Sequence, residues 1–170
     1  MGLTLEGKVA YLSILQIQAG LTLQRSRYDE PHKWHDDAPA EKKIFRTPDT
    51  YGYFTATCTP IKPLSIALSG TYTGRMLVQR MDITAENAEL GKMPERKAEA
   101  IRTPRFFDLG VKLAYDFKLY KTVDLQLNGG VQKMVESYQK DFDRGANRDS
   151  GYIYGPSLPR SFFAGVKISY

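Results

Sequence analysis

At 170 residues the chain has the length of one domain. Its 42% hydrophobic content and mean hydropathy of −0.41 exclude a helical membrane bundle, because no apolar run approaches the ~18–20 residues that a spanning helix needs. The net charge of +5 comes from mixed-sign clusters, Glu41-Lys42-Lys43, Glu95-Arg96-Lys97 and the stretch from Asp141 to Asp149. There is no basic stripe of the kind that would point to nucleic acid.

Cys58 is the single cysteine, so an intrachain disulfide and a thiolate metal cluster are both excluded. Tyr and Phe, eleven and eight residues against one Trp, favour strands. The average composition does not separate a soluble β protein from a membrane β-barrel, in which only every second residue faces lipid.

Period-two alternation runs through the chain and predicts seven strands, successive side chains falling on opposite faces. Over residues 3–11, Leu3, Leu5, Gly7, Val9 and Tyr11 oppose Thr4, Glu6, Lys8 and Ala10. Leu15, Ile17, Ala19, Leu21 and Leu23 oppose Gln16, Gln18, Gly20, Thr22 and Gln24. The pattern is weakest over 50–59, where Tyr51 and Tyr53 oppose Phe54, Ala56 and Cys58. Leu64, Ile66, Leu68, Gly70 and Tyr72 oppose Ser65, Ala67, Ser69, Thr71 and Thr73. Leu109, Val111, Leu113, Tyr115 and Phe117 oppose Asp108, Gly110, Lys112, Ala114 and Asp116. Val123, Leu125, Leu127, Gly129 and Val131 oppose Asp124, Gln126, Asn128, Gly130 and Gln132. In the last segment Phe162, Ala164, Val166, Ile168 and Tyr170 oppose Phe163, Gly165, Lys167 and Ser169. A helical period has little support outside Ala85 to Leu90, where one short loop helix is expected.

The connections alternate in length. Short ones fall around Ser13 to Leu15, at Pro60 to Pro63 and at Lys118 to Lys121; long ones run from Tyr28 to Pro48, Val78 to Pro104 and Ser137 to Pro159. Outer-membrane barrels have short periplasmic turns and long extracellular loops, whereas a Greek-key sandwich has no reason to gather every long loop at one end. The expected fold is therefore all-β: a segment of an antiparallel up-and-down transmembrane β-barrel, with Tyr170 ending on the periplasmic side. Seven strands are an odd number and bacterial single-chain barrels are even-stranded, so the barrel is expected to be incomplete. The start of the chain has no charged n-region followed by an apolar core, hence no export signal of its own, and the natural N-terminus is expected upstream or the reading frame truncated. In this reading Glu6, Lys8, Asp108, Lys112, Asp116, Asp124 and Lys167 line a wet lumen. Tyr51, Tyr53, Tyr72, Phe107 and Phe162 form an outer aromatic girdle, and Tyr115, Phe117, Tyr120 and Tyr170 an inner one.

The last residues resemble the end of a known family. Tyr138-Gln139-Lys140-Asp141-Phe142-Asp143-Arg144-Gly145, Arg148 to Pro156 and Pro159-Arg160-Ser161-Phe162-Phe163-Ala164-Gly165-Val166-Lys167 are similar to the C-terminal hairpin of TonB-dependent outer-membrane receptors of the Bacteroidetes type. Leu23 to Tyr28 and Arg46 to Tyr53 resemble earlier parts of the same barrels. Gln132 to Glu136 departs from the family's pattern at the outer end of the sixth strand. The resemblance implies that residues 1–170 are the C-terminal part of a 22-stranded barrel in a Gram-negative outer membrane. The signal peptide and the plug domain lie outside the chain. It further implies import of a scarce bulky solute of the siderophore, cobalamin or glycan class. The implied partners are outer-membrane lipid, the missing N-terminal strands and plug, TonB through the absent N-terminal part, and the barrel-assembly machinery; nucleic acid is not among them. The alternative from a different class is a soluble β-rich small-ligand module resembling a lipocalin, which would bury the Leu125 and Val111 face in one closed core.

Candidate sites are few. Tyr28, Trp34, Arg144 and Tyr152 are expected to contact ligand from exposed loops. Phe162, Val166, Ile168 and Tyr170 share one phase and resemble the C-terminal assembly signal of outer-membrane proteins. His32, His35, Asp36 and Asp37 lack the spacing of a zinc site. Asp141, Asp143, Asn147 and Asp149 lack the fixed loop pattern of a calcium hand, so no metal or cofactor is expected there, only a hydrated loop whose carboxylates pair with Arg144 and Arg148. No nucleophile elbow, phosphate loop or zinc-protease motif is present. Asp108 and Asp116 would stand ~26 Å apart on one strand, too far to share acid–base work, and the chain is not expected to be an enzyme.

Overall fold

The computed structural model describes residues 1–83, 96–120, 123–135, 137–145 and 148–170. The short helix expected at Ala85 to Leu90 lies outside these residues. The described residues form eleven strands: β1 (Gly2–Tyr11), β2 (Leu15–Gln24), β3 (Arg27–His32), β4 (Glu41–Lys43), β5 (Thr50–Ile61), β6 (Leu64–Thr73), β7 (Leu77–Ile83), β8 (Arg96–Arg102), β9 (Phe106–Tyr120), β10 (Val123–Gln132) and β11 (Ser161–Ser169).

Seven of them, β1-β2-β5-β6-β9-β10-β11, make one antiparallel sheet in chain order. These are the seven strands that the alternation marks. The other four form two small hairpins, β3-β4 and β7-β8. The sequence reading treats both regions as long loops, and the structure corrects this. The β6-β9 ladder ends at Thr73 opposite Phe106, breaks around Gly74 and Pro104, and resumes in the same register with Leu77 opposite Arg102. The connection is thus an outward continuation of one hairpin. Arg80 and Asp82 alternate with Met81 and Ile83, and Lys97 and Glu99 with Ala98 and Ala100, a period-two signal only seven residues long in each strand.

Register decides what the sheet presents. Paired residues in an antiparallel ladder share a face. Leu5 lies opposite Leu21, and Leu21 opposite Gly52. Gly52 then meets Tyr72, and Tyr72 meets Phe107. Farther along, Ile66 meets Leu113, Leu113 meets Gly129, and Gly129 meets Ala164. The apolar phase of every strand joins one face. The charged phase joins the other, where Glu6, Gly20, Tyr53, Thr71 and Asp108 form one row and Asp116, Gln126 and Lys167 another. Tyr51 and Tyr53 fall in this polar phase, so they do not belong with Tyr72, Phe107 and Phe162 as girdle residues.

Among the described residues no element packs across the apolar face. Leu113, Leu127 and Ile168 keep 50%, 43% and 64% of their surface exposed, which is not what a closed dry core would give. The hydrophobic core lies instead at the end where the long connections gather, where Met76, Val78 and Tyr152 are buried with Ile101 and Tyr154 against them.

Aromatic rings cover glycines on directly paired strands, which tightens the sheet. Phe54 lies over Gly70 and Phe163 over Gly130. A Cβ at Gly130 would stand 2.2 Å from the Val111 carbonyl oxygen, which is backbone and cannot give way, while a Cβ at Gly7 meets nothing within 4 Å. Gly130→Ala is expected to destabilise the fold by ~1–3 kcal/mol and Gly7→Ala to stay within about 0.5 kcal/mol of the parent. Denaturant midpoints in detergent micelles would check the contrast.

Candidate functional site

The long connections carry the only dense polar network among the described residues. It is built on the segment between β10 and β11. Gln139 is fully buried and its side-chain amide acts as a template. Its Nε2 donates to the Tyr152 carbonyl at 3.0 Å, and its Oε1 accepts from the amides of Tyr154 at 2.9 Å and Gly155 at 3.3 Å. One side chain thereby satisfies three backbone groups that no sheet ladder reaches.

Tyr152 and Tyr154 stand two residues apart with their ring centroids 5.2 Å from each other, and both hydroxyls reach the same carboxylate. Tyr152 donates to Asp141 at 2.7 Å, and Tyr154 donates to the other oxygen of Asp141. Burial works against the charged form of Asp141, but the hydrogen bonds from Tyr154 and Tyr152, helped by the Arg80 charge, outweigh it and hold the carboxyl below its ordinary value. The same contacts act the other way on the phenols. Burial, and then the hydrogen bond to Asp141, push Tyr152 up to about 12 and raise Tyr154 as well.

Arg80 on β7 donates to Asp143 at 2.8 Å and lies 5.0 Å above the Tyr152 ring. Asp149 accepts from the Met81 amide at 2.8 Å and from the Gly151 amide at 2.8 Å, closing a tight turn. These partners are not Arg144 and Arg148, as expected for a hydrated loop. The loop pairs with the β7-β8 hairpin instead.

Arg46, just before β5, brings in the third connection. Its φ of 57° is unusual for a non-glycine residue. Its amide donates to Leu77 at 2.7 Å and its guanidinium to the carbonyls of Gly151 and Ile153. One residue therefore ties the β4-β5, β6-β7 and β10-β11 connections together. Neither Arg46 nor Gln139 carries a sequence signal for this role, because the partners are backbone groups at distant positions. The Tyr152-Ile153-Tyr154 spacing is the one local hint, since it sets both hydroxyls on one side.

The four residues expected to touch ligand separate into two pairs. Tyr28 is 39% exposed and packs on His32, with ring centroids 5.3 Å apart. Trp34 is half-buried against His35 and Phe45, its indole nitrogen enclosed without a hydrogen-bond partner. Arg144 is exposed on the β10-β11 connection. Tyr152 is only 1% exposed and is an internal strut rather than a surface contact. Its ring fills the gap between Val78 and Arg80 and its hydroxyl is committed to Asp141. Phe162, Val166 and Ile168 stand on the edge strand β11, 75%, 65% and 64% exposed on the apolar face, with Tyr170 beyond its end. Among the described residues no three His, Cys, Asp or Glu side chains converge as metal ligands. Asn147, one of the oxygen ligands weighed for calcium, lies outside them.

The polar face holds its own contacts. Lys133 pairs with Asp108 at 2.8 Å, and Gln126 donates to Asp116 at 2.8 Å. Gln18 donates to the Tyr53 hydroxyl at 3.2 Å, which donates to Glu6 at 3.4 Å.

Gln139→Leu would leave the Tyr154 and Gly155 amides without partners, at ~1–3 kcal/mol each, and is expected to make residues 139–155 protease-sensitive while the sheet stays intact. The order of this connection should also depend on pH. Asp141 has a lowered value in the folded state, so its contribution is present above the ordinary carboxylate value near ~3.9 and is lost as pH falls below it. Tyr152 has a raised value, so its contribution is present below ~10 and is lost as pH rises toward about 12. Limited proteolysis across pH should show a protected plateau bounded on both sides. No protein-family model, curated protein or solved structure matches this chain.

Proposed function

We propose that the chain is part of the wall of a TonB-dependent transport barrel in a Gram-negative outer membrane, importing a scarce bulky solute of the siderophore, cobalamin or glycan class. The observation that carries this reading is the continuous apolar face that the sheet leaves uncovered. Seven strands ~4.8 Å apart and about ten residues long at ~3.3 Å each span on the order of 1,000 Å². Soluble monomers rarely expose more than a few hundred Å² of contiguous apolar surface. A lipid environment accounts for the whole face at once, and a strand of ten residues tilted by ~45° matches an apolar band ~25 Å tall.

In this reading the charged face lines the lumen, the end with the long connections is extracellular, and the short turns are periplasmic. The outermost strands β1 and β11 run in the same direction, being first and seventh in an antiparallel series. A closed antiparallel barrel then needs an odd number of further strands between them, supplied by the rest of the wall. Unpaired edges in lipid would cost several kcal/mol per backbone group. The plug and the TonB-contacting segment belong to that missing part. Phe162, Val166 and Ile168 on the last strand, with Tyr170 just beyond its end, serve the assembly machinery. The reading includes no catalytic step and no cofactor. A lipocalin-like module would turn Leu113 and Leu127 inward, and nothing favours it.

The full chain, refolded with phospholipid vesicles, is expected to float with them on a density gradient. Leu127→Arg, on the apolar face, should weaken this partition by ~2–4 kcal/mol, the cost of a midplane Arg, while Gln126→Arg on the polar face should leave it unchanged. A monodisperse, cooperatively unfolding monomer without detergent would sink the proposal.

A further inference from the structure

Beside the locked loop, on the polar side of the sheet, lies a cleft of about 420 Å³. Arg105, Phe106, Tyr138, Lys140, Asp141 and Tyr154 define it. Phe106 reaches it from the sheet, in the polar phase of β9 opposite Thr73. Its ring lies over Gly155, where a Cβ would come within 2.6 Å of it, and 6.0 Å from the Tyr154 ring. The aromatic wall is therefore held by packing before any ligand arrives.

The charges in this cleft are unevenly matched. Asp141 has both oxygens occupied by the hydroxyls of Tyr152 and Tyr154. Arg105 and Lys140 are exposed, and among the described residues neither has an ion-pair partner. The Lys140 ammonium sits 5.9 Å above the Tyr138 ring, which turns it over the aromatic wall rather than toward a carboxylate. Two cations beside an aromatic wall make a recognition pattern: the cations attract an anionic group and the rings cover a flat apolar one.

We infer that this cleft is a binding site for an organic anion that carries a phosphate or carboxylate next to a planar ring. Arg105 and Lys140 hold the anionic group, and Tyr138, Phe106 and Tyr154 pack against the ring. Asp141 is a positioning residue that fixes Tyr154 and does not touch the ligand. The inference deepens the transport reading by naming a solute class, and it rests on that reading only for the direction of import.

The test uses the full chain in detergent micelles, with phenyl phosphate as the probe and benzyl alcohol as its neutral counterpart, followed by ligand-observed NMR. Saturable binding of phenyl phosphate is expected, weakening with salt, with benzyl alcohol bound far more weakly. Arg105→Gln with Lys140→Gln should weaken it on the order of tenfold while residues 139–155 stay protease-resistant. Tyr138→Leu should weaken phenyl phosphate but not inorganic phosphate. Equal binding by the double variant and the parent, or equal binding of the two probes, overturns the inference. The double variant should still float with vesicles. A parent chain that binds the probe but does not float removes the transport reading and leaves the cleft standing.

Discussion

Backbone pairing in one register governs everything else in this molecule. In an antiparallel ladder a slip of one residue sends every side chain of a strand to the opposite face. Six consecutive strand pairs here keep the apolar phase of each strand beside that of its neighbour. Where the register does shift, it does so near the short turns, beyond Cys58 and at Val123. The result is a two-faced sheet whose stability in water cannot come from a core beneath its apolar face, which stays exposed among the described residues. The hydrogen bonds of the ladder and the surroundings of the apolar face must provide it.

The end with the long connections follows a different logic. There the backbone leaves the ladder, and each amide and carbonyl needs another partner. Gln139, Arg46 and Asp149 supply these from side chains, while Met76, Val78 and Tyr152 exclude water around them. Such networks are stable when every member is satisfied and weak when one is missing. Three connections that would otherwise move separately are joined into one body. This rigidity is what gives the neighbouring cleft a defined shape, since Tyr154 belongs to both.

Asp141 shows how the two levels meet. Its carboxylate keeps its negative charge, but both oxygens accept from phenols and it forms no direct ion pair with Arg105 or Lys140. An acidic residue in a basic cleft weakens anion binding; here two cations, Arg105 and Lys140, outnumber the one carboxylate, whose hydrogen bonds are structural. The polar face below continues this mixture of charge, with Lys133 on Asp108 and a second Asp108 oxygen enclosed and unpartnered.

The sequence by itself determined the seven strands, their two-faced character and the alternation of short and long connections. All three depend on side-chain period and turn residues, which are local properties. It also placed Glu6, Lys8, Asp108, Lys112, Asp116, Asp124 and Lys167 on a common phase. It did not determine that the long connections contain the β3-β4 and β7-β8 hairpins, since these strands are three to seven residues long and carry too little alternation to stand out. It misplaced Tyr51 and Tyr53 among the girdle residues, although their own phase already set them against Phe54. Only the tertiary structure decided that Tyr152 is a buried strut, that Arg46 and Gln139 hold the loops, and that Arg105 and Lys140 line one cleft. Those outcomes rest on contacts between residues 11 to 107 positions apart. No local pattern encodes such a contact, because its energy exists only once the chain has been brought together.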